Sequence, residues 1–210
     1  QMQARGQEIW TGIVPAVGSA YGGGFFAGQI STAGNGIADY NLVVGPVASA
    51  QNASKQYRTS IASGDPTSVI DGPANSAAMN DASHPAAQFC EGLTIGGFSD
   101  WYMPAINELE VCYYNLKPTT QSNNTSKGIN PNAVPARASN YTAGNPAQTS
   151  ATVFRDTGAE DFVNTHYWSS TSGLFSATTA SLKYFDTGNQ IDYGSKTFST
   201  YVRAIRRVAV

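Results

Sequence analysis

Four groups of residues in this chain have the types and spacing that could do chemistry. The histidines are only His84 and His166, and the cysteines only Cys90 and Cys112. No CxxC and no HExxH occurs, so neither a zinc site nor a redox dithiol is spelled out. Both cysteines fall in helical patterns; two readings stay open, small buried apolar residues or a bridge between helices. Glu108 and Glu110 lie two apart on a helix, so their carboxylates face different ways and cannot work as an acid–base pair. Asp156, Glu160 and Asp161 are close enough in sequence to offer oxygen ligands to a hard cation, or to form a solvated helix face. Arg203, Arg206 and Arg207 cluster on a strand pattern, which fits either structural ion pairs or a polyanion site. Serines are plentiful, but no nucleophile-elbow motif places one for attack. The glycines of 22–28 fit no phosphate loop, because no Lys-Ser/Thr follows and no helix opens there.

The bulk composition narrows the class. The chain has 210 residues, enough for one large domain with a real core. Charged residues are 12%, about half the usual share of roughly 25%. The surface must then be built largely from Ser, Thr, Asn, Gln and Gly, a chemistry suited to neutral sugars and common in extracellular proteins. A net charge of −2 argues against nucleic acid. No run is long and apolar enough to span a bilayer, and no secretory signal opens the chain. Gln1 is not an initiator, so residues 1–8 read as the end of a preceding shaft or linker and 9–210 as a single domain.

The positioning elements follow from periodicity. Ile9 to Val17, Tyr21 to Ile30 and Tyr40 to Val44 are strand-like, the last ended by Gly45-Pro46. Residues 73–93 read as two short helices split before Pro85, with Ser83 as candidate cap. A further helix opens at Pro104, buries Ile106, Leu109, Cys112, Tyr113 and Leu116, and closes at Pro118. Ala105 cannot cap it, a loss of about 1 kcal/mol. Residues 119–152 are too long for a simple connection and are an ordered excursion or a flap. Residues 151–162 suggest a short helix with Phe154 and Phe162 inward. Tyr167 to Thr171, Ala180 to Phe185, Gln190 to Tyr193 and Tyr201 to Val208 are strands, with a hairpin turn at Asp186-Thr187-Gly188-Asn189. Trp101, Tyr102, Tyr167 and Trp168 read as core aromatics.

Three blocks in order, Gly97-Phe98-Ser99-Asp100-Trp101-Tyr102-Met103-Pro104, Tyr167-Trp168-Ser169-Ser170-Thr171 and Tyr201-Val202-Arg203-Ala204-Ile205-Arg206-Arg207, carry a resemblance. It extends over almost the whole chain. The sequence resembles the C-type-lectin-fold domain of phage and prophage tail fibres, similar to the C-terminal domain of bacterial collagen-like adhesins (Lcl C-terminal-like). Members usually carry Ser or Thr where Ala105 stands. The resemblance implies an α+β, C-type-lectin-like fold, with two main helices flanking a small, twisted, mainly antiparallel sheet and long loops. It implies a non-enzymatic receptor-binding domain at a fibre tip, on a virion or otherwise extracellular. The partner would be a bacterial cell-surface glycan or protein and the assembly a homotrimer, with no cofactor. The alternatives are a structural trimerisation or folding cap and an enzyme acting on surface polysaccharide. Calcium is not implied, because the Glu-Pro-Asn, Gln-Pro-Asp and Trp-Asn-Asp motifs of calcium-dependent lectins are missing. The fold class also hosts enzymes that convert cysteine to formylglycine, but Cys90 and Cys112 sit on the wrong elements for that. The ligand face expected from the resemblance is 172–193, with Phe175, Lys183, Phe185, Asn189, Asp192 and Tyr193 as candidate binding residues.

Overall fold

A computed structural model describes residues 14–210. The expected shaft end at 1–8 and the first part of the Ile9–Val17 run lie outside the described residues, and Val14–Val17 form no strand. The chain is α+β, and the described residues form ten strands in two five-stranded sheets. The strands are β1 (Ala20–Tyr21), β2 (Gly24–Ile30), β3 (Tyr40–Val44), β4 (Gln51–Gln56), β5 (Ala133–Val134), β6 (His166–Ser172), β7 (Thr179–Tyr184), β8 (Gln190–Ser195), β9 (Ser199–Arg203) and β10 (Ile205–Ala209). The helices are α1 (Val47–Ala50), α2 (Gly72–Ala78), α3 (Pro85–Glu91) and α4 (Ile106–Leu116).

The first sheet runs β1-β2-β3-β10, with β5 also on β2, and is antiparallel throughout. The second runs β4-β9-β6-β7-β8, with β6 and β9 its one parallel pair. Two sheets thus replace the single small sheet expected from the sequence. The last predicted strand is the reason. It is broken at Ala204, whose N–H goes to Ala50 O at 2.9 Å and whose carbonyl accepts from Gly45 N at 3.0 Å. Residues before the break pair in the second sheet and residues after it in the first. Strict alternation therefore fails, and Val202 through Arg206 are all buried.

Two apolar clusters form the core. One joins the first sheet to α4 and to Tyr167, Phe154, Phe162 and Phe185. The other packs Trp101, Trp168, Leu182 and Val202 against Met79, Ala86, Ala87 and Cys90 of the α2–α3 region. Trp101 and Trp168 are core residues as expected, their indole N–H groups satisfied by Phe98 O at 3.1 Å and Lys55 O at 3.0 Å.

The helices around Pro85 form as predicted, but Asp71 caps α2 by accepting from Ala74 N, and Ser83 caps nothing. Helix α4 begins one residue after Ala105 and not at Pro104. Glu108 supplies half of a capping box, accepting the Ala105 N–H at 2.8 Å. The short helix expected at 151–162 is only a 3-10 turn, Thr152–Phe154, although Phe154 and Phe162 are buried. The excursion is ordered. Lys117 Nζ donates to Gln121 O, Asn123 Oδ1 and Pro146 O, and Asn123 in turn donates to Thr142 O and Pro146 O.

Candidate binding surface

The β6–β7 loop and the edge strand β8 carry the most exposed large apolar residues of the predicted ligand face. Phe175 is 74% exposed and Tyr193 62%, with ring centroids 6.0 Å apart in an edge-to-face arrangement. Leu174 is also exposed. The loop holding Phe175 is tied down on both sides. Gly173 N donates to Thr179 O at 3.0 Å, and Ser172 N to Pro66 O at 2.9 Å. Lys196 Nζ donates to Ala177 O at 2.9 Å. The same ammonium meets Asp65 Oδ2 at 2.7 Å, and Asp65 Oδ1 accepts from Arg58 at 2.5 Å and faces His84 Nε2 at 3.1 Å. A buried carboxylate therefore fastens Lys196 and Arg58, with the His84 ring beside them, beneath the loop, so the loop that carries Phe175 sits on a firm base.

Four of the six predicted residues do not share that exposure. Lys183 is 1% and Phe185 0% exposed, a correction to their place on the outer face. Strand β7 lies between β6 and β8; Lys183, and Phe185 just past its end, turn toward α4 and the excursion, while Tyr184 between them stacks on His166. Phe185 stacks on Phe162 at 3.8 Å and meets Tyr113 and Tyr167 edge-on. Lys183 Nζ lies 5.3 and 5.2 Å from the Tyr113 and Tyr141 ring centres and donates to Tyr141 Oη at 3.3 Å. Burial pushes its amine down to about 8. Asn189 and Asp192 are half-buried. Asn189 Oδ1 accepts from Asn124 at 2.9 Å, and Asp192 Oδ1 accepts from Ser181 Oγ at 3.0 Å and Gln190 Nε2 at 2.7 Å.

A second feature was not legible in the sequence. A cleft of about 370 Å³ is lined by Tyr40, Asp71, Pro73, Asp100, Tyr102 and Arg207. Arg207 Nε donates to Glu108 Oε1 at 2.8 Å, and Nη2 donates to Ile70 O at 2.5 Å. Its guanidinium lies 5.1 Å from the Tyr40 ring centre and 5.9 Å from that of Tyr102. Tyr102 Oη donates to the same Glu108 oxygen at 2.6 Å. Burial alone would raise the Glu108 carboxyl, and it outweighs the opposing pull of Arg207. Gly72 is closed in by this group, since a Cβ there would strike Glu108, Tyr102 and Ala105. The neighbouring Arg206 binds both Asp100 oxygens, at 2.7 and 2.9 Å.

The three sequence blocks meet around this corner. Tyr102 and Ile205 exchange backbone bonds at 2.9 and 3.0 Å, and Ser170 N donates to Pro104 O at 2.7 Å. Residues 50–206, which contain the first two blocks and the third up to Arg206, match the family model described as the Lcl C-terminal domain. The chain belongs to the Lcl C-terminal domain family. No curated protein and no solved structure matches it.

In this Lcl C-terminal domain the remaining candidate chemistry is structural. Arg203, Arg206 and Arg207 each hold a carboxylate, from Glu160, Asp100 and Glu108, which answers the choice between ion pairs and a polyanion site. Cys90 and Cys112 are free, buried and in different core clusters, and burial raises both thiols. Glu160 also accepts the Val47 N–H, Asp161 the Thr157 N–H and Asp156 the Asn164 amide, and no helix holds the three together. Among the described residues no three His, Cys, Asp or Glu converge as a metal site, and no helix is long and apolar enough to cross a membrane.

Proposed function

We propose that this domain is a non-enzymatic recognition module that binds a bacterial cell-surface receptor, glycan or protein, from an extracellular or virion position such as a tail-fibre tip. The observation that carries the reading is the Phe175–Tyr193 pair, two large rings held in solvent on an anchored loop and an edge strand. Rigid, exposed aromatics give contact area at little entropic cost and are typical anchors of an interface. Membership in the Lcl C-terminal domain family supports an adhesin-like role. The pairing of β3 with β10, near the two ends of the domain, together with long loops off the second sheet, supports a C-type-lectin-like architecture. In a homotrimeric fibre, this aromatic edge would face away from the shaft.

The test is binding of fluorescent protein to whole bacterial cells, with Phe175→Ala and Tyr193→Ala combined. The double variant is expected to lose at least about tenfold in affinity while keeping its melting temperature and its size by light scattering. If instead it binds normally but becomes a monomer, the aromatic edge is a subunit contact and the domain is a trimerisation cap.

A further inference from the structure

We infer that the cleft lined by Tyr40, Asp71, Asp100, Tyr102 and Arg207 is a binding site for a neutral pyranose sugar. It is separate from the Phe175–Tyr193 edge. The proposal rests on the recognition reading only in taking a surface glycan as the ligand class, and it stands or falls on different residues.

The size is right for one sugar ring or a little more, since small-molecule sites begin at roughly 300 Å³ and this cleft is about 370 Å³. The lining is a mixture of aromatic rings, carboxylates and one guanidinium. Carboxylates accept from sugar hydroxyls, a guanidinium donates to hydroxyl and ring oxygens, and tyrosine rings pack on the C–H faces.

Charge decides against other ligands. Arg207 is already neutralised by Glu108, and Asp100 by Arg206. Of the charged groups lining the cleft, that leaves Asp71 without an ionic partner among the described residues, so the local balance is slightly negative. A phosphate, sulfate or carboxylate ligand would meet that charge without a free cation to answer it. A neutral polyol needs none.

Hydrogen-bonding capacity is left over on the same groups. Arg207 uses Nε and Nη2, while Nη1 has no bond to the described residues. Asp71 uses Oδ1 on Ala74 N, leaving Oδ2. The Tyr40 hydroxyl bonds none of the described residues. The guanidinium cannot swing away, because Glu108 and the Ile70 carbonyl hold two of its nitrogens and Tyr40 and Tyr102 flank it. Such a fixed donor has its orientation set before a ligand arrives.

The test is saturation-transfer-difference NMR on the whole domain. The probes are the methyl glycosides of glucose, galactose, mannose and N-acetylglucosamine, each at about 10 mM, a concentration that detects millimolar affinity. At least one glycoside is expected to show transfer. Tyr40→Ala should abolish it. Asp71→Asn should weaken it several-fold with the melting temperature retained, because asparagine also caps a helix. Phe175→Ala/Tyr193→Ala should leave it unchanged even where cell binding is lost. No transfer to any glycoside on the wild type, or equal transfer on a folded Asp71→Asn variant, would overturn the proposal.

Discussion

Thr171 caps a helix that lies 65 residues earlier in the chain: its Oγ1 accepts the Ile106 N–H at 3.0 Å. Ala105 has no side-chain oxygen to offer the first turn of α4, and β6 brings one from across the fold. The Thr171 hydroxyl then donates its proton to Ser68 O at 2.8 Å. One hydroxyl of the second block thereby ties down the start of the helix that follows the first block. Thr171→Val keeps the shape and removes both bonds, leaving a buried N–H without a partner. A loss of about 1–3 kcal/mol is expected in urea denaturation. A loss below the error of the measurement would mean that water replaces the hydroxyl.

Asp65 holds the cations Arg58 and Lys196 and faces the His84 ring, with Lys196 fully buried. Asp65→Asn removes the charge that compensates the ammonium, and breaking such a buried pair costs about 3–5 kcal/mol. Hydrogen exchange should accelerate first in 58–66 and 173–178, the segments it fastens. Cell binding should fall with it, since Phe175 rides on the second of these. Uniform acceleration across the domain would argue against a local fastening role.

Lys183 carries a pH signature. Its amine sits at about 8 in the folded chain, against an ordinary value of 10.5. Between these values the unfolded chain holds the extra proton, so this group makes stability rise with pH over that window. Below pH 8 both states are protonated and the fold bears the whole cost of the buried ammonium, about 3 kcal/mol at about 1.36 kcal/mol per unit. The buried thiols of Cys90 and Cys112, raised by burial, pull the other way once their unfolded forms ionise. The difference between wild type and Lys183→Met isolates the lysine. The variant should be the more stable at pH 7, and its advantage should shrink steadily toward pH 10. A constant difference would show that the amine is not desolvated.

Trp168 fills the second core cluster and is fully buried. Trp168→Ala should cost about 3–5 kcal/mol and reduce soluble yield. A variant with unchanged melting temperature and lost cell binding would instead put this ring in the recognition surface.

Chelation should be without effect. The acidic side chains of 156–161 are engaged by Arg203, Val47 N, Thr157 N and Asn164. The melting temperature and cell binding are expected to be the same in EDTA and in calcium. A drop of several degrees in EDTA, restored by calcium, would reveal a cation site.

What the sequence determined by itself was local. Proline placement set the split between α2 and α3, Asp186 to Asn189 set the β7–β8 hairpin, and the heptad-like apolar spacing set the face of α4. These features depend on backbone preferences and on side chains a few residues apart. The family blocks were legible for a related reason, because each is one contiguous stretch of sequence. Tertiary structure decided everything that depends on which two elements meet. Alternation in 180–185 cannot say whether a strand is central or at an edge, and β7 is central, so Lys183 and Phe185 turn inward to an aromatic cluster. The bend at Ala204 is held by bonds to Ala50 and Gly45, some 150 residues away, and it takes the last predicted strand from the second sheet into the first. The cleft is assembled from β3, the start of α2, the 100–102 segment and β10. No window of sequence contains those four together, so only the folded chain creates it.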